Sequence, residues 1–498
     1  MTAPFEPDPG LQESHFPATS LRQSGFPATG RTPAGLPIGD SWVPAATTDV
    51  RFPYDGSVIG QAPVGTVADA RAALDAAVAV RPAAAAVASR TRRDILLRTR
   101  DALAARRGEL EQLLVLETGK PLIDCRIEVD RSLVTLEASA EEVSRLHGET
   151  VPLDLLPSGD GLIGFWTRRP IGVVIGITGF NYPLLLAAHK AGPAIAAGCP
   201  IVIKPAPQTP LATLWLVHEL REAAVACGAP AALAQLVTGG VDVGSTLVTD
   251  PRIGAVSFTG SAAVGHRIAR DAAPRKVLLE LGSNAALVVA ADADLDAAAS
   301  AILRGAFYAS GQACISVQRV LVEDAVADAL IDRLAAGLPD VAVGDPREEG
   351  TRVSALIDTA SQERVAAWVD EAVAAGATRI GDVPAMLVDV PDGVLAWDEE
   401  IFGPVVCVRR VPDLDAALDA VNASRYGLHA SVFTCSLAST FRAIDRLEVG
   451  GVVINEVPGF RSDTMPYGGV KDSGAGREGP RFAVEELTVT RMAVIRPA

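Results

Sequence analysis

Between Val173 and Leu281, short apolar runs alternate with helical stretches of ten or more residues. The runs are Val173 to Ile177, Ile201 to Ile203, Gln235 to Val237, Ala255 to Phe258 and Val277 to Leu279. Alternation of this kind predicts βαβ units and a parallel sheet. A second alternating pattern runs from Ala285 to about Val457, with helices near Leu295 to Ser310 and Ala325 to Leu338 and strands near Val317 to Val322 and Val405 to Val411. The expected fold class is therefore α/β, with two α/β domains in one chain of 498 residues.

The flanking segments read differently. Val67 to Val80, ended by Pro82, and Arg93 to Leu116 carry apolar residues at three and four residue spacing, which predicts a helical layer. Gly148 to Arg169 reads as a hairpin around the Pro157-Ser-Gly-Asp-Gly161 turn cluster. Leu487 to Ile495 alternates with strand period, and a terminal strand with free edges seeks another sheet or subunit. Residues 1 to 36 repeat Phe16-Pro-Ala-Thr19 as Phe26-Pro-Ala-Thr29 without any period and read as a flexible tail.

Composition excludes several functions. A formal charge of −16 repels a phosphate backbone, so nucleic acid is not an expected partner. The run Ile171 to Ala188 has no charged side chain over 18 residues, the length of a membrane span. However, Gly172, Gly176, Gly179, Asn181 and Pro183 cut it into a strand, a loop and a helix start. No membrane is expected. No basic stretch followed by an apolar one marks a secretory signal at the N-terminus. Six scattered cysteines with no CxxC pair and no His at metal-ligand spacing point to free thiols in a reducing cytosol, hence a cytoplasmic protein with no metal site.

Several polar residues stand at the carboxyl ends of the expected strands, where α/β sites are built. Lys204 closes Ile201 to Ile203, Glu280 closes Val277 to Leu279, and Asn181 lies in the loop after Ile177. Phe258-Thr-Gly-Ser-Ala-Ala-Val-Gly265 closes a strand and opens a helix with Ser261 at the cap, an arrangement whose amides can hold a pyrophosphate. A GxGxxG turn is absent from the first unit. Cys314, in Gly311-Gln-Ala-Cys-Ile-Ser316, follows a helix and is a nucleophile or a structural thiol on local grounds alone.

Taken in order, these motifs resemble the aldehyde dehydrogenase superfamily over roughly Ile38 to Arg496. Phe180-Asn-Tyr-Pro183, Ile203-Lys-Pro205, Phe258-Thr-Gly-Ser261, Glu280-Leu-Gly282, Gly311-Gln-Ala-Cys314, Glu400-Ile-Phe-Gly-Pro404 and Pro466-Tyr-Gly-Gly-Val-Lys-Asp-Ser-Gly474 all resemble family signatures. The style is nearest to the branch that includes lactaldehyde dehydrogenases.

The resemblance implies Cys314 as nucleophile, Asn181 with the Cys314 amide as oxyanion hole, Glu280 as general base and Lys190 in a proton path. It places Ile177, Thr178, Lys204, Pro207, Phe258, Thr259, Gly260, Ser261, Leu281, Gly282, Glu400 and Phe402 on NAD or NADP. It also implies a Rossmann-type dinucleotide-binding domain (residues 37–147 and 170–281), a catalytic domain (282–463), a segment 464–484 returning to the first, and an oligomerisation arm (148–169 and 485–498) building a dimer or tetramer.

Two departures from the family pattern stand out. Pro207 stands where NAD-preferring members have a Glu for the ribose hydroxyls, so a 2′-phosphate is not repelled. Ser283 replaces a second Gly. Arg461 and Arg131 are candidate clamps for an anionic aldehyde, against an internal Arg461–Asp463 salt bridge. Only five Tyr and five Trp argue against a strongly aromatic tunnel. The expected activity is oxidation of a small polar or anionic aldehyde (hydroxy-, semi- or phospho/phosphono-aldehyde) with hydrolytic release. A CoA-acylating semialdehyde dehydrogenase, a silent cofactor-binding protein and a cysteine hydrolase without nicotinamide are the rivals.

Overall fold

The computed structural model describes residues 35–497 together with the backbone of Ala28–Thr29 and Thr32–Pro33. The expected flexible tail therefore lies outside the described residues, except at its end. Leu36 is fully buried and begins the strand Leu36–Ile38, so the packed fold starts inside the segment read as tail.

Five parallel strands build the first sheet, in the order Ala234–Leu236, Ile201–Lys204, Val173–Ile177, Ile253–Thr259, Lys276–Glu280. Gly474–Ala475 joins Lys276–Glu280 as an antiparallel edge. Chain order reverses between Val173–Ile177 and Ile253–Thr259, and the crevice outside the carboxyl ends at such a reversal is the ligand position of an open α/β sheet. Ile177, Lys204, Thr259 and Glu280 are those ends.

The second sheet has seven strands, in the order Thr378–Ile380, Ala385–Val388, Val405–Val411, Arg319–Glu323, Ala286–Val289, His429–Phe433, Gly451–Ile454. All pair in parallel except the first two. Each sheet carries apolar clusters on both faces, which is why the strands read as unbroken apolar runs. A separate three-stranded sheet pairs Glu149–Val151, Ile163–Pro170 and Thr488–Ile495, the last two in register over eight residues.

The helical layer differs in detail from its sequence pattern. The helix Val67–Ala86, opened by a capping box between Thr66 and Asp69, runs past Pro82 instead of ending there. Proline removes one amide from the ladder, and Ala84 beyond it is buried in the core, so the last turn survives on packing. The stretch read as one helix from Arg93 to Leu116 is two, Ser89–Ala105 and Arg107–Thr118, broken at Arg106. Gly119, at φ +70°, turns the second into Leu122–Glu142.

The uncharged run Ile171 to Ala188 is a strand, a loop and the start of the helix Pro183–Ala197. No single helix among the described residues is long and apolar enough to cross a membrane. All six cysteines are free.

Candidate active site

The loop that leads to Cys314 is held under backbone strain. After the helix Leu295–Phe307, Ala309, Ser310 and Gly311 all take positive φ, at 50°, 56° and 73°. Two non-glycine residues in that region are costly unless the surroundings fix them. They are fixed: Asp124 accepts the Ala309 amide (2.9 Å), Ser310 Oγ accepts the Ser354 amide (2.9 Å) and Gln312 Oε1 accepts the Ile357 amide (3.0 Å). A Cβ on Gly311 would lie 2.0 Å from the Gly403 carbonyl oxygen, so only glycine lets the loop sit there.

Cys314 emerges from this loop with its Sγ 3.2 Å from the Tyr467 hydroxyl. Burial pushes the thiol up to about 12, with the Tyr467 hydrogen bond and Arg461 pulling it down and Glu400 and Glu280 adding to the rise. Asn181 Nδ2 reaches the same loop, donating to the Gln312 carbonyl at 2.8 Å. Glu280 ends its strand buried, and its Oε2 has no hydrogen-bond partner. A Cβ on Gly468 would lie 2.9 Å from Glu280 Oε1, so the carboxyl lies against a glycine. Burial first, then the Glu478 charge, hold Glu280 well above the usual carboxylate range, against Arg461, Lys190 and Arg477.

Lys190 is interior, not a surface helix lysine. Its Nζ donates to Thr259 Oγ1 at 2.7 Å and to Glu478 Oε1 at 3.3 Å. Glu478 also receives Arg461 Nη2 at 3.2 Å. Asp463 receives Arg131 as a fork, at 3.1 Å from Nε and 2.8 Å from Nη2, with His189 Nε2 at 3.1 Å. Burial pushes both carboxyls up, but these cations hold Glu478 and Asp463 well below the ordinary range.

The two candidate anion clamps are thus inside one ion network. Arg461, 6% exposed, is committed to Glu478, lies 3.9 Å from Asp463 and stacks its guanidinium 3.7 Å over the Tyr467 ring. It does not present the free guanidinium that the clamp reading needs. Arg131 is 23% exposed, and its Nη1 takes no part in the fork.

The chain has five tyrosines. Two of the five stand by the thiol: Tyr467, bonded to Sγ, and Tyr308, whose buried hydroxyl has no partner and whose phenol is pushed up by burial first and then by the Cys314 charge.

The other expected cofactor residues line the ends of the first sheet. Lys204 is buried, its Nζ 3.5 Å from the Pro205 carbonyl; burial lowers its pKa against the pull of Asp242. It makes no salt bridge among the described residues, and Pro207 is exposed beside it. Thr178 Oγ1 is buried without a partner. Ser261 caps the helix Ala262–Ala272 by backbone position, with no side-chain bond of its own.

Glu400 is bonded by the Ser283 amide at 3.0 Å, and a Cβ on Gly282 would stand 2.4 Å from its Oε2. Burial lifts Glu400 to about 7. Phe402, at φ +48°, meets Phe180 edge-on at 5.7 Å. Leu281 packs over Gly265, where a Cβ would come within 2.3 Å. A buried ammonium without a salt bridge, an orphan hydroxyl and a carboxylate laid across a glycine fit a dinucleotide with a phosphate or ribose at each point.

Sequence reasoning missed Lys120, Glu128, His189 and Glu478 as site-supporting residues. The available signal was a charged side chain inside an apolar stretch, as in Leu184 to Ala197 around His189 and Lys190.

A model of the aldehyde dehydrogenase family matches residues 42–493. The 3-sulfolactaldehyde dehydrogenase of Priestia megaterium is 40% identical over 413 residues, 81% of this chain and 86% of that protein. The lactaldehyde dehydrogenase of Methanococcus aeolicus is 36% identical over 467 residues, 92% and 99% of the two chains. The glyceraldehyde-3-phosphate dehydrogenase of Methanocaldococcus jannaschii complexed with NADP superposes with a TM-score of 0.87 at 34% identity, covering 91% of this chain and 100% of that one.

Proposed function

This chain belongs to the aldehyde dehydrogenase family as an NAD(P)-dependent aldehyde dehydrogenase, and we propose that it oxidises a small hydroxy-, semi- or phospho/phosphono-aldehyde to the free carboxylate. The observation that carries the reading is convergence: Cys314, Asn181 and Glu280 come from separate segments, and Asn181 Nδ2 is bonded to the loop that bears the thiol.

Cys314 Sγ, as the thiolate, forms a bond to the aldehyde carbon. The oxygen that becomes anionic is taken by Asn181 Nδ2, released from the Gln312 carbonyl, and by the Cys314 backbone amide. A bound nicotinamide supplies the acceptor for the hydride that leaves the former aldehyde carbon. Cys314 then carries the acyl group as a thioester. Glu280, unpartnered and raised above the ordinary carboxylate range, takes a proton from water, whose oxygen attacks the acyl carbon and displaces the thiolate. Lys190, between Thr259 and Glu478, lies on the proton path behind Glu280: its ammonium gives a proton to the Glu478 carboxylate and, then neutral, takes up the one that Glu280 releases. Lys204, Thr178, the Phe258 to Ser261 turn, Leu281, Gly282, Glu400 and Phe402 hold the dinucleotide. The missing carboxylate at Pro207 leaves room for the 2′-phosphate of NADP.

The relatives named for lactaldehyde and sulfolactaldehyde support a short polar substrate, and Arg131 Nη1 is its anion contact. A CoA-acylating route would not need Glu280; product analysis with and without CoA separates the two. Ile163, Val489, Met492, Val494 and Ile495 are exposed on the three-stranded sheet, which supports a dimer or tetramer built through that arm; a monomer in sedimentation would remove it. A cytoplasmic location belongs to the same reading, on the strength of six unpaired thiols.

The test is reduced-nicotinamide absorbance with NAD and NADP against lactaldehyde, semialdehydes and phospho- or phosphono-aldehydes, with Cys314→Ala as control. Turnover lost in the variant supports the reading. Silence across the panel with both cofactors moves the chain to a binding role.

A further inference from the structure

Lys120 projects from the Gly119 turn into the interior, where it is 2% exposed. Its Nζ makes a salt bridge with Glu128, donates to the Asn181 backbone carbonyl at 2.8 Å and stands 3.6 Å over the Tyr182 ring. Glu128 is 0% exposed, and its other oxygen accepts the Leu184 and Leu185 amides, at 2.9 Å and 3.2 Å, in the first turn of the helix Pro183–Ala197. The pair therefore grips the Asn181 loop on the two sides of Pro183.

Burying an ion pair is costly unless every remaining bond is made. An apolar side chain would close the helical layer equally well. What the charge adds is a bond to the one peptide that carries the oxyanion donor. With its carbonyl held by Lys120 and its Nδ2 aimed at Gln312, Asn181 keeps only side-chain rotation as freedom. Oxyanion stabilisation depends on donors fixed before charge develops, and a displacement of about 1 Å costs about 100-fold in rate. From this geometry we infer that the Lys120–Glu128 pair is a positioning device for Asn181, rather than a packing element of the helical layer.

The inference rests on Asn181 being the oxyanion donor, and the experiment separates the two claims. Cys314 acylation by p-nitrophenyl acetate needs no cofactor and passes through the same oxyanion. Rates are measured for wild type, Lys120→Met, Asn181→Ala and the double variant, with thermal unfolding and NADP affinity recorded on each. Expected is a fall of about 10- to 100-fold in kcat with little change in KM for Lys120→Met, and less than about 3-fold further loss when the same change is made in Asn181→Ala. Equal losses in both backgrounds overturn the positioning role. An Asn181→Ala enzyme with wild-type rate overturns the oxyanion assignment instead. Should Lys120→Met fail to fold because Glu128 is left charged and alone, Lys120→Met with Glu128→Gln removes both charges. The cycle is then read against Asn181→Ala with that pair, and the same outcomes decide.

Discussion

Replacing Tyr467 by Phe removes one oxygen, the one that touches the Cys314 thiol. The Cys314 thiol has the Tyr467 hydroxyl as its hydrogen-bond partner, 3.2 Å away, and Arg461 over the ring makes that hydroxyl a better donor. Burial first, then Glu400 and Glu280, oppose ionisation of the thiol, and the Tyr467 bond and Arg461 favour it. A hydrogen bond to a charged acceptor contributes about 1.5–3 kcal/mol, so its loss raises the thiol by about 1–2 pK units. At a fixed pH below that value the thiolate fraction drops about 10- to 100-fold. The more basic thiolate is intrinsically more reactive, with a Brønsted slope of about 0.4–0.5, which returns nearly half of the loss on a logarithmic scale.

The net expectation is a slowing of about 4- to 20-fold in reaction with an aromatic disulfide at pH 8. Exposed Cys435 and half-buried Cys227 react too, so the assay uses a Cys227→Ser, Cys435→Ser background with Cys314→Ala as blank. An unchanged rate, with the fold intact by circular dichroism, would show that the hydroxyl does not support the thiolate. A faster rate would show that it restrains the thiol from reaction.

Glu280→Gln is expected to keep a single burst of reduced nicotinamide while steady turnover falls about 100- to 10,000-fold, read by stopped flow. Because burial and Glu478 raise Glu280, wild-type turnover rises with pH as the carboxylate forms, and that limb is absent from the variant's profile. Pro207→Glu should move the NADP to NAD preference at least about tenfold toward NAD, by setting a carboxylate against the 2′-phosphate, measured as a ratio of kcat/KM values. Asp463→Ala strands Arg131 and His189 in the interior and should cost about 3–5 kcal/mol, seen as a lower unfolding temperature. Since Asp463 is held well below its unfolded value of about 3.9, its contribution is complete above that pH and lost as pH falls toward the folded value, so the variant's deficit shrinks in acid.

The parallel sheet and its useful ends were legible because each strand is an apolar run stopped by one polar residue, as at Lys204 and Glu280. Local pattern carries that information, since burial on both faces is written into consecutive residues. Arg106 and Pro82 were misread for the opposite reason: at those points tertiary packing, not local preference, decided where a helix stops. Asp463 as the partner of Arg131, and Glu478 as the partner of Arg461, were beyond reach from the sequence. Whether a guanidinium faces a ligand or a carboxylate depends on partners 332 and 17 positions away, and no spacing along the chain announces them.

The same holds for Lys120 and Glu128, eight residues apart, the first directly after Gly119 and the second inside the helix Leu122–Glu142, and so outside the three or four residue spacing of a helical pair. Chemistry at this site was readable where one residue does one task at a strand end. It was unreadable where a buried cation is spent on orienting another residue, because the sequence shows the charge and not what neutralises it. Lys190 is the instructive middle case. Its place in the apolar run Leu184 to Ala197 argues that the ammonium cannot be solvated, and therefore that a buried acceptor must exist. That acceptor is Glu478, 288 residues further on, and the pairing draws the segment just after Gly474 against the first sheet. The ion network thus ties the closing segment of the chain to Thr259 by a hydrogen bond and to Glu280 by charge, so substitutions in it should disturb turnover and stability together.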